Sequence, residues 1–345
     1  IEISPLYDSK IKAANLMKQC LQSLKKSRLE NSIFIDIEND PNETGIVGVP
    51  YSLITTDEGD LDAKLTTLDP NFSAVIVDLL FTAGLEKNDT IAVMLTGSMP
   101  GANIALLSAC QVMGIHPIII SSIGASQWGA NQVDFTWLDM EDILIENKLI
   151  NSRSVASSIG GRNDMGRLLS PLGRDLIMEN IKNYDLPLIR ENRLADNIKK
   201  RTDIYNEYHP IDKYDGVVNI GGGVASLGTS FNYRLIPPGI VNRSDIVDID
   251  NSSGIEGAFS YFLKKNITGL HILNIKSIIE NYNLPFAPIP HPKIGEGVLY
   301  AKERYNLTIV FLCFLILTGS VAFIGYKSKK QIREHLTKYE PDSLL

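Results

Sequence analysis

Apolar residues recur at two periods along this chain, and each change of period marks an element. Ile11, Ala14, Met17, Cys20, Leu21 and Leu24 fall at helical spacing, which predicts an amphipathic helix over 6–27. Ser4-Pro5 in front of it reads as an N-cap followed by proline at the first helical position. Helical spacing returns over 71–83, and Gly84 supplies a residue to end that helix. The stretch 36–60 between them is polar and punctuated by Pro41, Gly45, Gly48, Pro50 and Gly59, and reads as loop.

Residues 90–122 carry the strongest local pattern. TIAVML is a short apolar strand, TGSMPG a turn, ANIALLSACQVM a helix ended by Gly114, and HPIIISS a second apolar strand. Strand, turn, helix and strand at this length make a βαβ unit with parallel strands and a right-handed crossover. Neither strand alternates, as expected where both sheet faces are covered. A second strand–glycine turn begins at 215 with GVVNI followed by GGGVASLG, and residues 254–265, 269–273 and 274–283 suit helix, strand and helix. The expected fold is therefore α/β, a mostly parallel sheet with βαβ units and Gly/Ser-rich turns. Residues 1–300 form the main region, with 1–183 and 215–283 as candidate halves. The charged segment 183–215, with one exposed helix near 190–206, is the best boundary between them.

Residues 307–326, LTIVFLCFLILTGSVAFIGY, carry no charge and are long enough to cross a hydrocarbon core of about 30 Å. Cys313 then sits in lipid as a small apolar filler. Pro285, Pro288, Pro290 and Pro292 stiffen the lead-in, so 284–306 reads as a juxtamembrane linker. Lys327, Lys329, Lys330 and Arg333 follow the span, against Lys302 and Arg304 before it. That excess places the tail 327–345 in the cytoplasm and residues 1–300 outside it. The chain starts at Ile1, so an export signal or a first span is expected upstream.

Composition narrows the class. The chain is 44% hydrophobic and 21% charged, which excludes a disordered or collagen-like protein. Its 33 Lys and Arg against 40 Asp and Glu give a formal charge of −7, which disfavours nucleic acid as a partner. Three cysteines, Cys20, Cys110 and Cys313, lack the spacing of a zinc site or a redox pair.

Gly97-Ser98-Met99-Pro100-Gly101 lies where a strand becomes a helix, a place where free N–H groups favour an anion. Neither this turn nor Gly221-Gly222-Gly223 with Ser226 fits a nucleotide-binding template, so no cofactor is assigned. A carboxylate or phosphate site and a turn needed only for packing both remain open. Ser98 lacks the surroundings of a hydrolase elbow and reads better as a cap. Ser121, Ser122, Ser126, Trp128 and Asn131 lie just past the second strand, where a parallel sheet usually binds ligands, unless Trp128 merely anchors a loop. Arg153, Arg162, Arg167 and Arg174 sit among Ser and Gly, as a carboxylate-binding stretch or a solvated loop. The acids Asp36, Glu38 and Asp40 and the pair Asp248 and Asp250 lack the rest of a calcium loop, Asp139, Glu141 and Asp142 could form a carboxylate site but read better as a helix start, and no metal is assigned.

Several longer runs then become recognisable together: SPLYDSKIKAANLM (4–17), DPNETGIVG (40–48), ITTDEGDLDAKLT (54–66), PNFSA (70–74), SSIGASQWGAN (121–131), FTWLDME (135–141), RSVASSIGGRNDMGR (153–167) and NIGGGVASLG (219–228). They resemble the poly-gamma-glutamate system protein family over residues 3–326. The chain departs at TGSMPGAN, where the family turn is closer to SGSFPALN. The resemblance implies a bacterial membrane protein that works with the synthase membrane components making poly-γ-glutamate. It implies a pathway and carries no catalytic residues. Two classes follow: a non-catalytic accessory to synthesis or export of the polymer, or an anchored enzyme that cleaves, caps or transfers it outside the membrane. The expected partners are those synthase components, the polyanionic polymer and the lipid bilayer.

Overall fold

A central strand, β1 (Thr90–Thr96), organises the α/β region in the computed structural model, which describes residues 2–229, 232–246, 254–302, 304 and 306–339. Strands β2 (His116–Ser122), β3 (Ser154–Ser158) and β4 (Leu188–Ile189) succeed it on one side. On the other side lie β5 (Gly216–Ile220), then β7 (Gly269–Ile272), with β6 (Gly239–Val241) at the edge. The order is β4-β3-β2-β1-β5-β7-β6, and every neighbouring pair is parallel except β6 with β7. β1 runs in register with β2 from Thr90↔His116 to Thr96↔Ser122 and with β5 from Ile91↔Gly216 to Met94↔Asn219. The expected mostly parallel α/β fold is what the chain adopts.

The absence of alternation in β1 has a direct cause. Ile91, Val93 and Leu95 enter a core shared with α1 (Tyr7–Glu30), α3 (Asn71–Thr82) and α4 (Pro100–Met113). Ala92 and Met94 point into the opposite core, with α7 (Leu194–Tyr208) and α10 (Ala258–Lys264). Both faces are covered, so the positions between the two terminal threonines, 91–95, are all apolar. Among the described residues the region's other α-helices are α2 (Leu61–Thr67), α5 (Trp137–Glu146), α6 (Pro171–Asn183), the single turns α8 (Val224–Leu227) and α9 (Asn232–Leu235), and α11 (Ile275–Glu280). Residues 3–301 form one compact unit whose sheet continues across 183–215. The segment 284–299 lies against the first core through Leu284, Phe286, Ile294 and Leu299.

Four local expectations change. Ser4 does not cap α1, which begins after Leu6 in the left-handed region. The Ser4 hydroxyl instead accepts from Lys10 Nζ at 2.6 Å, because the buried Lys10 ammonium, paired with Asp78, needs further acceptors. The helix near 190–206 is not an exposed one: α7 buries Leu194, Ile198, Arg201, Ile204 and Tyr205 on the sheet. The basic stretch 151–175 is partly regular, holding β3 and the start of α6. GGGVASLG contains the turn of helix α8. Among the acidic runs, Asp40 is buried and accepts from Thr44 N and Gly45 N, while Asp248 and Asp250 lie outside the described residues.

The second unit, 1–2 with 302–345, is dominated by α12 (Leu307–Tyr339). Asn306 Oδ1 accepts from Thr308 N at 3.0 Å and starts the helix. Its stretch Leu307–Lys338 is long and apolar enough to cross a membrane.

Candidate functional site

The chain leaves β1 on one side toward β2 and returns on the other as β5, so the strand order reverses between them. In a doubly wound sheet the loops beyond such a reversal part and leave a crevice at the carboxyl ends of the strands. A cavity of about 450 Å³ opens there. The loops after β1, β2, β3, β5 and β7 and the segment 56–64 line it.

The turn after β1 and the turn after β5 are built against each other. Thr96 Oγ1 donates to Ile220 O at 3.3 Å. Gly221 follows with φ +92°, and a Cβ there would stand 2.2 Å from Thr96 Oγ1. Only glycine meets both requirements. Gly222 and Gly223 continue the wall, and their N–H groups have no acceptor among the described residues. Ser226 lies under this turn, buried in α8, and does not line the cavity.

Ser98 lines the cavity but caps nothing. Met99 occupies the N-cap position of α4 without a side-chain bond. The Ser98 hydroxyl accepts from Ser126 N at 3.0 Å, and its carbonyl accepts from Lys64 Nζ at 2.7 Å. Gly97 stays outside the cavity. A Cβ at 97 would lie 2.5 Å from Ile123 O, so its small size lets the 123–130 loop approach and does not admit a ligand.

Lys64 was not among the sequence candidates and is the most unusual group here. It projects from α2, is 3% exposed, and bonds Ser98 O and, at 2.8 Å, Ser126 Oγ. No carboxylate pairs with it among the described residues. Asp60, the N-cap of its helix, is committed to capping α2 through Ala63 N at 3.0 Å. Burial pushes the Lys64 ammonium down to about 7, partly offset by the Asp60 charge.

Beside it, Ser122 lines the cavity within a closed network. Its hydroxyl lies 3.0 Å from Ser158 Oγ and accepts from Arg201 Nη2 at 2.9 Å, while Ser158 donates to Asp164 at 2.7 Å. Arg162 stands exposed on the 3-10 turn Arg162–Asp164 at the cavity mouth, with no partner for its guanidinium among the described residues. The acids Asp57, Glu58 and Asp60 line the mouth, as does Lys276.

The remaining candidates lie elsewhere. Asn131 is buried and holds the 49–55 loop, accepting from Val49 N at 2.9 Å and donating to Val49 O at 2.7 Å. Trp128 packs on the first core with φ +57°, the anchoring role left open for it. Ser121 bonds Ser154 Oγ at 2.7 Å inside the sheet. Arg153 pairs with Asp142, and Arg167 is exposed outside the cavity. The site thus gathers Ser98, Ser122, Ser126, Arg162 and Gly221–Gly223, and adds Lys64. A lysine four residues after an N-cap carries no mark in sequence that separates it from a solvated one.

The arrangement presents hydroxyls, unengaged amides, a guanidinium and an amine held near neutrality to a small polar ligand. Comparison with protein-family models, curated proteins and solved structures finds no match to this chain.

Proposed function

We propose that this chain is an accessory membrane protein of bacterial poly-γ-glutamate synthesis or export. In this reading α12 anchors it, the α/β region lies outside the cytoplasm, and the crevice beyond β1 and β5 receives a segment of the polymer. One observation carries the reading. Four of the runs behind the family resemblance, 54–66, 121–131, 153–167 and 219–228, each contribute residues to this one cavity: Lys64, Ser126, Arg162 and Gly222 among them. Runs far apart in sequence are expected to converge where a family's ligand binds.

The chemistry is compatible with such a ligand. A γ-linked glutamate chain offers a backbone amide and a free carboxylate at each residue. Arg162 and the Gly222 and Gly223 amides offer donors to both. Asp57, Glu58 and Asp60 oppose a polyanion at long range, so recognition rests on these local bonds. A second reading, an enzyme that cuts or transfers the polymer, draws on Lys64 and Ser126.

The test is deletion of the gene in the source bacterium, with the amount, chain length and location of the polymer measured. The accessory reading expects less polymer or polymer retained at the membrane. Altered chain length with unaltered synthesis points to the enzyme. A strain indistinguishable from wild type in all three overturns both.

A further inference from the structure

We propose that Ser126 and Lys64 form a serine–lysine pair that cleaves an amide of the γ-glutamyl class, with Ser126 Oγ as nucleophile and Lys64 Nζ as its base. The proposal rests on the function above only for its substrate class. The pair itself rests on geometry.

A serine hydroxyl becomes nucleophilic when a base stands within hydrogen-bond reach and a third group fixes that base. Each part is present. Lys64 Nζ lies 2.8 Å from Ser126 Oγ, and Ser98 O, 2.7 Å from the same nitrogen, orients it. The nucleophile is held as well: Ser126 N donates to Ser98 Oγ at 3.0 Å, and Ser126 O accepts from Gly129 N at 3.0 Å. Lys64 is buried while Ser126 is partly exposed on the cavity wall. Of the two, the hydroxyl is therefore the group more open to a substrate.

A lysine serves as base only when neutral, and its environment favours that form. Burial without a carboxylate partner disfavours the ammonium. A neutral amine keeps two N–H groups and one lone pair. One N–H satisfies Ser98 O, and the lone pair accepts the Ser126 proton. Asp60 is the acid that acts on it from α2, and Ser98 and Ser126 are its neutral contacts from the loops. Asp57, Glu58, Arg162, Asp164 and Lys276 are the other titratable groups on the cavity wall.

The step balances without a cofactor. Ser126 Oγ attacks the amide carbon as its proton passes to Lys64 Nζ. The C–N bond then breaks, and Lys64 returns the proton to the leaving amine, leaving an acyl ester on Ser126. Water attacks the ester, giving its proton to Lys64. The C–Oγ bond breaks, and the proton returns to Ser126. Amide and water become carboxylic acid and amine. The unengaged amides of Gly222 and Gly223, on the same cavity, are open to the substrate's oxygens.

The full chain in detergent is treated with a fluorophosphonate, and the adduct is mapped by mass spectrometry. The expected result is one adduct, on Ser126, forming at a rate that rises with pH through a midpoint near that of Lys64, about 7. Ser126→Ala abolishes it. Lys64→Met slows it about 100-fold, the scale of a lost general base. Lys64→Arg does not restore it, because a guanidinium stays protonated. His116→Ala, outside the cavity, reacts as wild type. Unfolding midpoints of each variant report whether it is folded, and a lysine that only tethers loops would move the midpoint and leave the pH profile unchanged. Release of p-nitroaniline from γ-glutamyl-p-nitroanilide, lost in Ser126→Ala, tests the substrate class. Folded wild-type protein that is unlabelled at Ser126, or labelled at a rate independent of pH, overturns the proposal. A Ser126→Ala strain with wild-type polymer, where deletion alters it, overturns the pair and spares the accessory reading. Labelling at Ser126 with deletion silent does the reverse.

Discussion

Arg201 and Asp164 form an ion pair at 2.9 Å with only 1% and 3% of their side chains exposed. The pair joins α7 to the turn after β3, and the hydroxyls of Ser122 and Ser158 complete its bonding. It therefore neutralises an acid directly on the wall of the candidate site. Removing one partner leaves the other charge buried and unpaired, which costs roughly 3–5 kcal/mol. Arg201→Met is expected to lower the unfolding free energy obtained from urea titration by that amount at unchanged m-value. A shift below about 1 kcal/mol would mean that water reaches Asp164.

This pair marks the limit of what sequence patterning reveals. The βαβ unit at 90–122 is legible because both strands are buried on both faces and glycine ends the helix between them. The glycine turn at 221–223 is legible because its first residue, Gly221, has a positive φ that leaves few other residues to choose. Lys64, Arg201 and Lys10 are not: each looks like a solvated charge in a polar run, and each is buried by elements distant in sequence. The converse failure is the arginine stretch. Arg153, Arg162 and Arg167 are close in sequence, yet β3 separates Arg153 from the turn that carries Arg162, and only Arg162 lines the cavity.

That separation gives a binding prediction within the proposed function. A charge-assisted hydrogen bond contributes about 1.5–3 kcal/mol, or roughly 10- to 150-fold in affinity. Arg162→Ala is expected to weaken binding of short γ-glutamate oligomers to the full chain by that factor, measured by titration calorimetry. Arg153→Ala and Arg167→Ala should bind as wild type. Because Arg162 is exposed, its contribution should shrink as salt rises. Equal affinity across the three variants would remove Arg162 from the site.

Two glycines separate folding from binding. A Cβ at Gly97 meets the Ile123 carbonyl at 2.5 Å, whereas one at Gly222 meets nothing within 4 Å. Gly97→Val must displace the 123–130 loop and is expected to cost roughly 1–3 kcal/mol in stability. Gly222→Ala should keep the wild-type unfolding midpoint while narrowing the cavity, so its effect appears in oligomer affinity. A stable Gly97→Val protein would show that the loop yields.

Glu141 provides a pH test far from the candidate site. It is buried on α5 and accepts from Ser154 N at 3.0 Å and Ser154 Oγ at 2.8 Å, fastening the helix to β3. Burial pushes its carboxyl up from an ordinary 4.5 to about 7, against the opposing effects of the Ser154 bonds and the Arg153 charge. The native state therefore holds this proton more tightly than the unfolded chain. The resulting stability is fully present below about 4.5 and is lost as pH rises through about 7. At 1.36 kcal/mol per unit the loss is roughly 3 kcal/mol. Glutamine reproduces the neutral form and does not titrate. The stability of Glu141→Gln minus that of wild type should thus grow between those pH values and stay constant above them. Other groups, such as buried His271, cancel in this difference. Urea midpoints measured across pH 4.5–8 that run parallel for the two proteins would show that Glu141 ionises as it does in water.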